Sequence, residues 1–288
     1  GVASTAAASI NDNAGPSNRD ATSAAPVGGR SANCLPWYPP PQRNRPTHLP
    51  QVLSSAFPSP PCRTSMSGRW PRQILFGDID AMFASAAVLA DPSLAGKPVA
   101  VGGPPPRGIV AAASYEVRRF GVRSAMPIIQ AMRLCPQLIL VPPDRPLYQR
   151  LHRQLQDITD RFFPETEWTS IDEFYTDTTR LQTRHPDPRA LGQALKTDIT
   201  RVTGLTCTIA LASGKTVAKI AADAHKPDGL AVIEPGSEAA FLAPLPIRSL
   251  PGMGPKSTEA IERLGIHTVG DLLEPRFEQS LIRLLGLR

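Results

Sequence analysis

The amino-acid sequence predicts a mixed α/β (α+β) fold that begins near residue 71 and ends in an all-helical part. Between 71 and 234, apolar runs of strand length alternate with helical periodicities. After Pro235 the pattern becomes all-helical, with short elements between glycine and proline breaks. Residues 1–70 hold eleven prolines and show no sustained period, so we predict a disordered Pro/Ser/Ala-rich tail there.

The predicted strands and helices interleave along the body. The first strand is a short apolar run that ends in carboxylates, and the last alternates Thr and Cys with aliphatic residues. The predicted strands span 73–80, 98–102, 108–113, 138–141, 170–176 and 206–212. The predicted helices, of which the first is rich in alanine, span 81–89, 124–134, 146–162, 188–202 and 215–224.

Charge is a weak guide to the binding partner. The formal net charge is +6, but residues 1–70 carry six arginines against two aspartates and so account for most of it. Residues 81–141 hold six basic and two acidic side chains, a pattern that fits either a phosphate-binding patch or a solvated face.

The cysteine spacing and the lack of membrane-span and signal patterns predict the cellular compartment. The four cysteines lack metal-ligand or disulfide spacing, and no apolar run has the length of a membrane span. No secretory signal pattern opens the chain, although its Arg-containing, acid-poor tail also resembles an organelle transit peptide. We expect a reducing, cytoplasmic location without a membrane partner.

Carboxylates at two strand ends predict a site for hard cations. Asp78 and Asp80 share one face of the first strand, and Asp172 and Glu173 are adjacent on a later one. Buried carboxylates are costly unless they are compensated, and Mg²⁺ prefers carboxylate and phosphate oxygens. Two such ions suit nucleotidyl transfer. From the pattern alone, structural caps or surface charges are an equal alternative.

Motifs around these residues follow in order from Ile74 to about Leu273. They are DIDAMFAS at 78–85, GKPVAVGG at 96–103, SYEVRRFGVRSAMP at 114–127, SIDE at 170–173, AKIAAD at 218–223, KPDG at 226–229 and PGMG at 251–254. On these motifs the chain resembles Y-family, translesion-type DNA polymerases of the DNA polymerase IV kind, with a UmuC-type catalytic domain.

The resemblance implies a right-hand polymerase core. A ferredoxin-like palm would occupy 71–234, with small fingers inserted at about 81–143. A helical thumb containing a helix-hairpin-helix would occupy 235–288. The chain stops at Arg288, about where the family's linker to a second DNA-gripping domain, the little finger, begins. We therefore expect the little finger to be absent and DNA affinity to be low, because backbone contacts supply most of the binding.

The resemblance also implies the roles of the metal-binding residues. Asp78, Asp172 and Glu173 would be the catalytic carboxylates that hold two Mg²⁺ ions, with the carbonyl group of Ile79 as a further ligand. Asp80 falls on a family aspartate that is not a principal metal ligand, so we leave it out of the metal site.

Four further residues would bind the incoming nucleotide. Phe83 would be the steric gate that excludes a 2′-hydroxyl, although a core aromatic is the alternative for this residue alone. Tyr115, Arg118 and Lys226 would hold the triphosphate, and a guanidinium suits that role because it binds phosphate bidentately.

Two glycines of the PGMG motif would contact DNA. Gly252 and Gly254 would let backbone amides approach phosphates, a contact that fixes position and not sequence. The SGKT stretch at 213–216 invites comparison with a phosphate-binding P-loop. That motif needs a glycine where Ile209 stands, so we reject it.

Two departures from the family concern the active region. Ala87 stands where the family has Glu, and Ala112 where it has Thr or Ser. The second change removes a hydroxyl near the triphosphate, and we expect it to lower nucleotide affinity.

The implied function is error-prone translesion DNA synthesis in DNA repair, by a monomer that works at the nucleoid. The expected partners are primer–template DNA and dNTPs, with a sliding clamp as a further candidate. The alternative is a catalytically weak or silent DNA-binding adaptor, against which the three retained carboxylates argue. A nucleotidyl cyclase with a similar palm is disfavoured, because it has no reason to carry the helix-hairpin-helix.

Overall fold

The computed structural model describes residues 69–285, so nearly all of the predicted tail lies outside the described residues. The strands are β1 (Ile74–Ile79), β2 (Val99–Gly102), β3 (Val110–Ala113), β4 (Ile139–Val141), β5 (Glu167–Trp168), β6 (Glu173–Asp177), β7 (Cys207–Ala212) and β8 (Leu230–Val232). The helices are α1 (Met82–Ala90), α2 (Tyr115–Arg118), α3 (Ile128–Leu134), α4 (Arg145–Phe162), α5 (Pro188–Thr203), α6 (Lys215–His225), α7 (Glu238–Leu242), α8 (Pro255–Glu262) and α9 (Glu278–Leu285).

A five-stranded sheet of order β5-β6-β1-β7-β8 forms the centre of the molecule. β1 runs antiparallel to both neighbours, and every one of its residues is buried. Side chains alternate along a strand, so Leu75 and Ile79 pack with α4 and α5 on one face. Phe76 packs with α6 on the other face. Asp78 follows the same alternation and therefore lies on the α6 face.

A smaller sheet of order β3-β2-β4 is formed by the chain between β1 and α4. α1 packs with Val99 and Val101 on one side of it, and α2 and α3 pack around Ala100 and Val110 on the other. This segment corresponds to the predicted fingers, although its assignment as a domain stays a prediction.

The chain after Pro235 is helical, as predicted. α8, α9 and short 3₁₀ turns surround a small core that includes Ile247, Ile261, Ile266 and Phe277. Phe241 of α7 packs instead against the cluster that contains Phe76. Pro246 and Thr268 form an isolated antiparallel β-bridge in this region. In residues 69–285, no helix is both long and apolar enough to cross a bilayer.

The mixed α/β class is confirmed, with differences at particular elements. The helix predicted from 124 begins only at Ile128, since Pro127 restricts the residue before it to extended backbone. The strand predicted from 170 begins at Glu173, because the Ser170 hydroxyl accepts a hydrogen bond from the Glu173 amide (3.0 Å) within a bend. The short elements β5, β8 and α2 escaped sequence analysis.

Gly77 of β1 makes room for the ring of Phe174, its partner on β6. A Cβ atom added there would lie 2.3 Å from Cζ of this buried ring. We predict that Gly77→Ala lowers the free energy of unfolding by about 2 kcal/mol or more, because the buried ring has to move out of its packed position. The control is Gly214→Ala, where a Cβ meets nothing within 4 Å. Equal stability of the two variants in chemical denaturation would contradict this account.

Candidate active site

A cavity of about 180 Å³ opens at the carboxyl end of β1, between the central and the small sheet. It is lined by residues from the regions of both sheets, including all eight residues predicted for metal and nucleotide binding. Its lining includes Asp78, Ile79, Phe83, Ala112, Tyr115, Arg118, Asp172, Glu173 and Lys226. A larger cleft, of about 810 Å³, lies near the start of β1 around Ile74 and contains none of the predicted site residues.

Asp78 is the most buried acid of this cavity, with 4% of its surface exposed. It lies opposite Glu173 of β6 in the strand register and forms an ion pair with the ammonium group of Lys226. Burial raises the pKa of Asp78 to about 7, and the charges of Glu173 and Asp172 add to the rise while Lys226 opposes it.

Lys226 is held by two carboxylates. Burial by itself would lower its pKa, but Asp78 and Asp223 raise the pKa above its ordinary value. The Nζ atom lies 3.1 Å from the nearer oxygen of Asp223. The lysine is therefore cationic throughout the physiological range.

The other two acids of the cavity also have partners within the protein. Glu173 accepts a hydrogen bond from Nζ of Lys219 on α6 (2.8 Å), and Asp172 accepts one from the Ser170 hydroxyl (2.6 Å). The amide of Ile79 donates to the carbonyl oxygen of Asp172 (3.0 Å), which ties the bend before β6 to the end of β1.

The donor chemistry fits a hard divalent cation, since three carboxylates and a backbone carbonyl are all oxygen ligands. Within the described part of the chain, however, no three His, Cys, Asp or Glu side chains are arranged to hold a metal ion. Each carboxylate contacts a lysine or a hydroxyl instead, so cation binding requires these side chains to turn away from their present partners. The roles assigned to the carboxylates stay predictions.

Asp80 has a different environment, which agrees with leaving it out of the metal site. One of its carboxylate oxygens accepts from the Thr208 hydroxyl (2.9 Å), and the other accepts from the amide of Asp228 (2.8 Å). The Tyr115 hydroxyl makes a longer contact with it at 3.5 Å. Asp80 therefore joins three segments of chain around the cavity.

Phe83 is packed against another ring and also lines the cavity, and its role as a steric gate stays a prediction. Ala81, in a left-handed conformation (φ 45°) uncommon for alanine, turns the chain from β1 into α1 and brings Phe83 to the cavity. Its half-buried ring stacks on that of Tyr148, with 4.2 Å between centroids and 22° between planes. It is thus both a packed aromatic and part of the cavity wall.

Tyr115 and Arg118 lie on α2 and enter the cavity from the small sheet. The Arg118 guanidinium lies 4.3 Å from the centre of the Tyr115 ring, and its Nε donates to the carbonyl oxygen of Ala113 (3.0 Å). Burial, followed by the charge of Asp80, raises the pKa of Tyr115, so its hydroxyl remains a donor. Ala112 lines the same wall and offers no hydroxyl there.

The two glycines predicted to contact DNA are not among the residues that line the cavity. Gly252 (φ 87°) and Gly254 lie in the exposed turn before α8. An added Cβ would meet nothing within 4 Å at either position, and the Gly254 amide donates to the carbonyl oxygen of Gly252 within the turn (3.1 Å).

Two residues of the site escaped sequence analysis. Lys219 lies in the AKIAAD motif, but no role was predicted for it. Tyr148 lies in a predicted helix, also without a predicted role. The spacing of Lys215 and Lys219 along α6 was the available signal for a charged helix face. Nothing in the sequence indicated which acids that face would meet.

Comparison with known proteins agrees with this geometry. The sequence model described as the impB/mucB/samB family matches residues 77–223, and the one described as the IMS family HHH motif matches residues 235–266.

Two curated relatives are DNA polymerases IV. The DNA polymerase IV of Methanoculleus marisnigri is 44% identical over 217 residues, covering 74% of this chain and 60% of that protein. The DNA polymerase IV of Streptomyces coelicolor is 46% identical over 215 residues, covering 74% and 45%. The chain thus spans about half of the length of the curated relatives it matches.

Solved structures show the same architecture. DinB from Sulfolobus solfataricus has a TM-score of 0.70 at 33% identity, covering 75% of this chain and 63% of that one. An insertion ternary complex of Dbh DNA polymerase has a TM-score of 0.66 at 33% identity, covering 73% and 62%.

The pKa of Asp78 leads to a prediction about metal binding. A carboxyl with a pKa of about 7 must lose its proton before it can ligate a cation. We predict that the affinity for Mg²⁺, measured without nucleotide or DNA, rises between about pH 6 and 8 and that binding releases a proton. Calorimetric titrations in two buffers of different ionisation enthalpy measure both the affinity and the proton release. Asp78→Asn should bind weakly at every pH. Affinity independent of pH in the wild type would contradict the prediction.

Proposed function

The chain belongs to the impB/mucB/samB family, and on this basis we propose that it is a template-directed DNA polymerase of the error-prone, translesion type. The reaction is the addition of a deoxynucleotide to a primer 3′-hydroxyl with release of pyrophosphate. The observation that supports it best is the single cavity in which Asp78, Asp172 and Glu173 face Tyr115 and Arg118.

The three carboxylates and the carbonyl group of Ile79 would hold two Mg²⁺ ions. When bound, these ions would activate the primer hydroxyl and stabilise the charge on the triphosphate. Asp78 and Glu173 are opposite one another on neighbouring strands, which places both acids on the face covered by α6. The bend at Asp172 brings the third acid to the same edge of the sheet.

Lys226 has two roles in this proposal. In the arrangement described, its ammonium group neutralises Asp78. With cations on Asp78, the ammonium group would be free to contact the triphosphate together with Arg118 and Tyr115. A lysine suits this exchange because its compact charge sits on a flexible stem, whereas an arginine is better at fixed, bidentate contacts.

Phe83 supplies the selection against ribonucleotides. The Phe83 ring stacks on the Tyr148 ring, which restricts its movement where it would contact the sugar of a nucleotide in the cavity. A 2′-hydroxyl would have to displace a stacked aromatic pair.

DNA would be held in part by the C-terminal helical region. The exposed turn at Gly252 and Gly254, where no side chain stands in the way, would allow sequence-independent contact with phosphates. Primer–template DNA and dNTPs are the proposed partners. The expectations of a sliding clamp, a monomeric state and a nucleoid location stay predictions.

A second candidate is a catalytically weak or silent DNA-binding adaptor. Two observations favour it: two of the three carboxylates, Asp78 and Glu173, are paired with lysines, and Ala112 offers no hydroxyl to the nucleotide. The two candidates differ in a single measurable property, which is templated primer extension.

We predict that the full chain extends a primer with Mg²⁺ and dNTPs, and that Asp172→Ala/Glu173→Ala lowers the rate by about 100-fold or more, because metal-bound carboxylates supply several kcal/mol. Asp177→Ala is the matched control, as this exposed acid ends the strand that Glu173 begins. A wild type that extends no better than the double variant would favour the adaptor.

We predict that Phe83→Ala raises ribonucleotide incorporation relative to deoxynucleotide incorporation by about 10-fold or more, equivalent to roughly 1.4 kcal/mol of lost discrimination. Phe83→Tyr keeps the ring and should keep the selection. The ratio of kcat/KM for matched rNTP and dNTP measures it, and an unchanged ratio would remove Phe83 as the gate.

A further inference from the structure

The loop 226–229 connects α6 to β8 and carries Lys226 into the cavity. It is a tight turn with little freedom to rearrange. Asp228 has a positive φ of 55°, a conformation that aspartate and asparagine tolerate better than most residues. At Gly229 an added Cβ would lie 2.2 Å from the carbonyl oxygen of His225, so only glycine fits.

Lys196 of α5 contacts this loop from the interior of the protein. It is a buried lysine, with 7% of its surface exposed. Its Nζ donates to Oδ1 of Asp228 (2.6 Å) and to the carbonyl oxygen of Cys207 (2.5 Å). A buried ammonium is costly without a counter-ion, and Asp228 is the acid it pairs with.

The backbone of the same loop is held from the central sheet. The amide of Asp228 donates to Oδ2 of Asp80 (2.8 Å), and the amide of Gly229 donates to Oγ1 of Thr208 (3.3 Å). Thr208 in turn donates to Oδ1 of Asp80 (2.9 Å). Asp228 is thus held at two points, by its backbone amide to Asp80, just after β1, and by its side chain to Lys196 of α5.

We propose that Lys196 is a positioning residue that fixes loop 226–229 through Asp228 and thereby places Lys226 for the incoming triphosphate. The part concerning the triphosphate rests on the proposed function, whereas the fixing of the loop does not. Lys196 lies behind the cavity and is not among the residues that line it, so its influence on the nucleotide passes through the loop.

Amide hydrogen exchange tests the fixing of the loop without any assumption about activity. In Lys196→Met, which keeps the length of the side chain without its charge, the Asp228 and Gly229 amides should exchange about 10-fold faster or more, because local opening becomes easier. The amide of Phe76, in the centre of β1, is the internal reference. Unchanged exchange at Asp228 would overturn the proposal.

Asp228→Asn provides a second test of the same contact, which remains available if Lys196→Met does not fold. The Asp228 side chain is 61% exposed, and asparagine keeps both its shape and its tolerance of positive φ. This substitution removes the charge from the outer end of the pair and should accelerate exchange of the Gly229 amide. A loop that stays fully protected in Asp228→Asn would also overturn the proposal.

Kinetics with primer–template then tests the link to the nucleotide. We expect Lys196→Met to raise KM for dNTP by about 10-fold while kcat stays within about 2-fold, the signature of lost ground-state binding. In a Lys226→Ala background the same change should have less than about a 2-fold effect, because the two residues act as one unit. Additive effects on KM, or a fall in kcat alone, would refute the positioning role.

The two levels of the proposal fail in different ways. A wild type that does not extend primers refutes the proposed function, and hydrogen exchange still decides whether Lys196 fixes the loop. An active wild type with an unchanged KM in Lys196→Met refutes the positioning role and leaves the polymerase assignment intact.

Discussion

Asp78 lies near the end of the central strand, almost inaccessible to water, with Glu173 directly opposite on the neighbouring strand. Two acids in this position need nearby positive charge, since removing an uncompensated carboxylate from water is expensive. The compensation comes from one side of the sheet: Lys219 of α6 pairs with Glu173, and Lys226, just after α6, pairs with Asp78. The packing of α6 on β1 therefore serves the chemistry of the cavity as well as the hydrophobic core.

The same requirement bears on the proposed metal-dependent reaction. Lysine side chains are flexible, and a divalent cation that replaced them would supply more charge to the same carboxylates. Lys226 lines the cavity together with Arg118 and Tyr115, so an ammonium group freed from Asp78 would stay beside a nucleotide bound there. Under this proposal, either the lysines or the cations would offset the cost of burying the acids.

Much of this organisation could be predicted from the sequence, and the exceptions share a physical cause. β1 and β7 are long, apolar and bounded by clear breaks, so local pattern was sufficient to find them. β5 and β8 have only two and three residues and are strands because of their neighbours, which a local pattern cannot show. Motifs located the acids of the site. The contact of Lys226 with Asp78 joins residues 148 apart, and spacing along the chain carries no signal of it.

The proposed displacement of Lys226 from Asp78 by cations and nucleotide can be seen in a structure of the chain with primer–template, Mg²⁺ and a dNTP on a non-extendable primer. In that structure, oxygens of Asp78, Asp172 and Glu173 should lie about 2.1 Å from the ions. The Lys226 ammonium group should lie within hydrogen-bonding distance of the triphosphate. A bound nucleotide beside an intact Asp78–Lys226 pair, with no ion on the carboxylates, would contradict the proposed displacement.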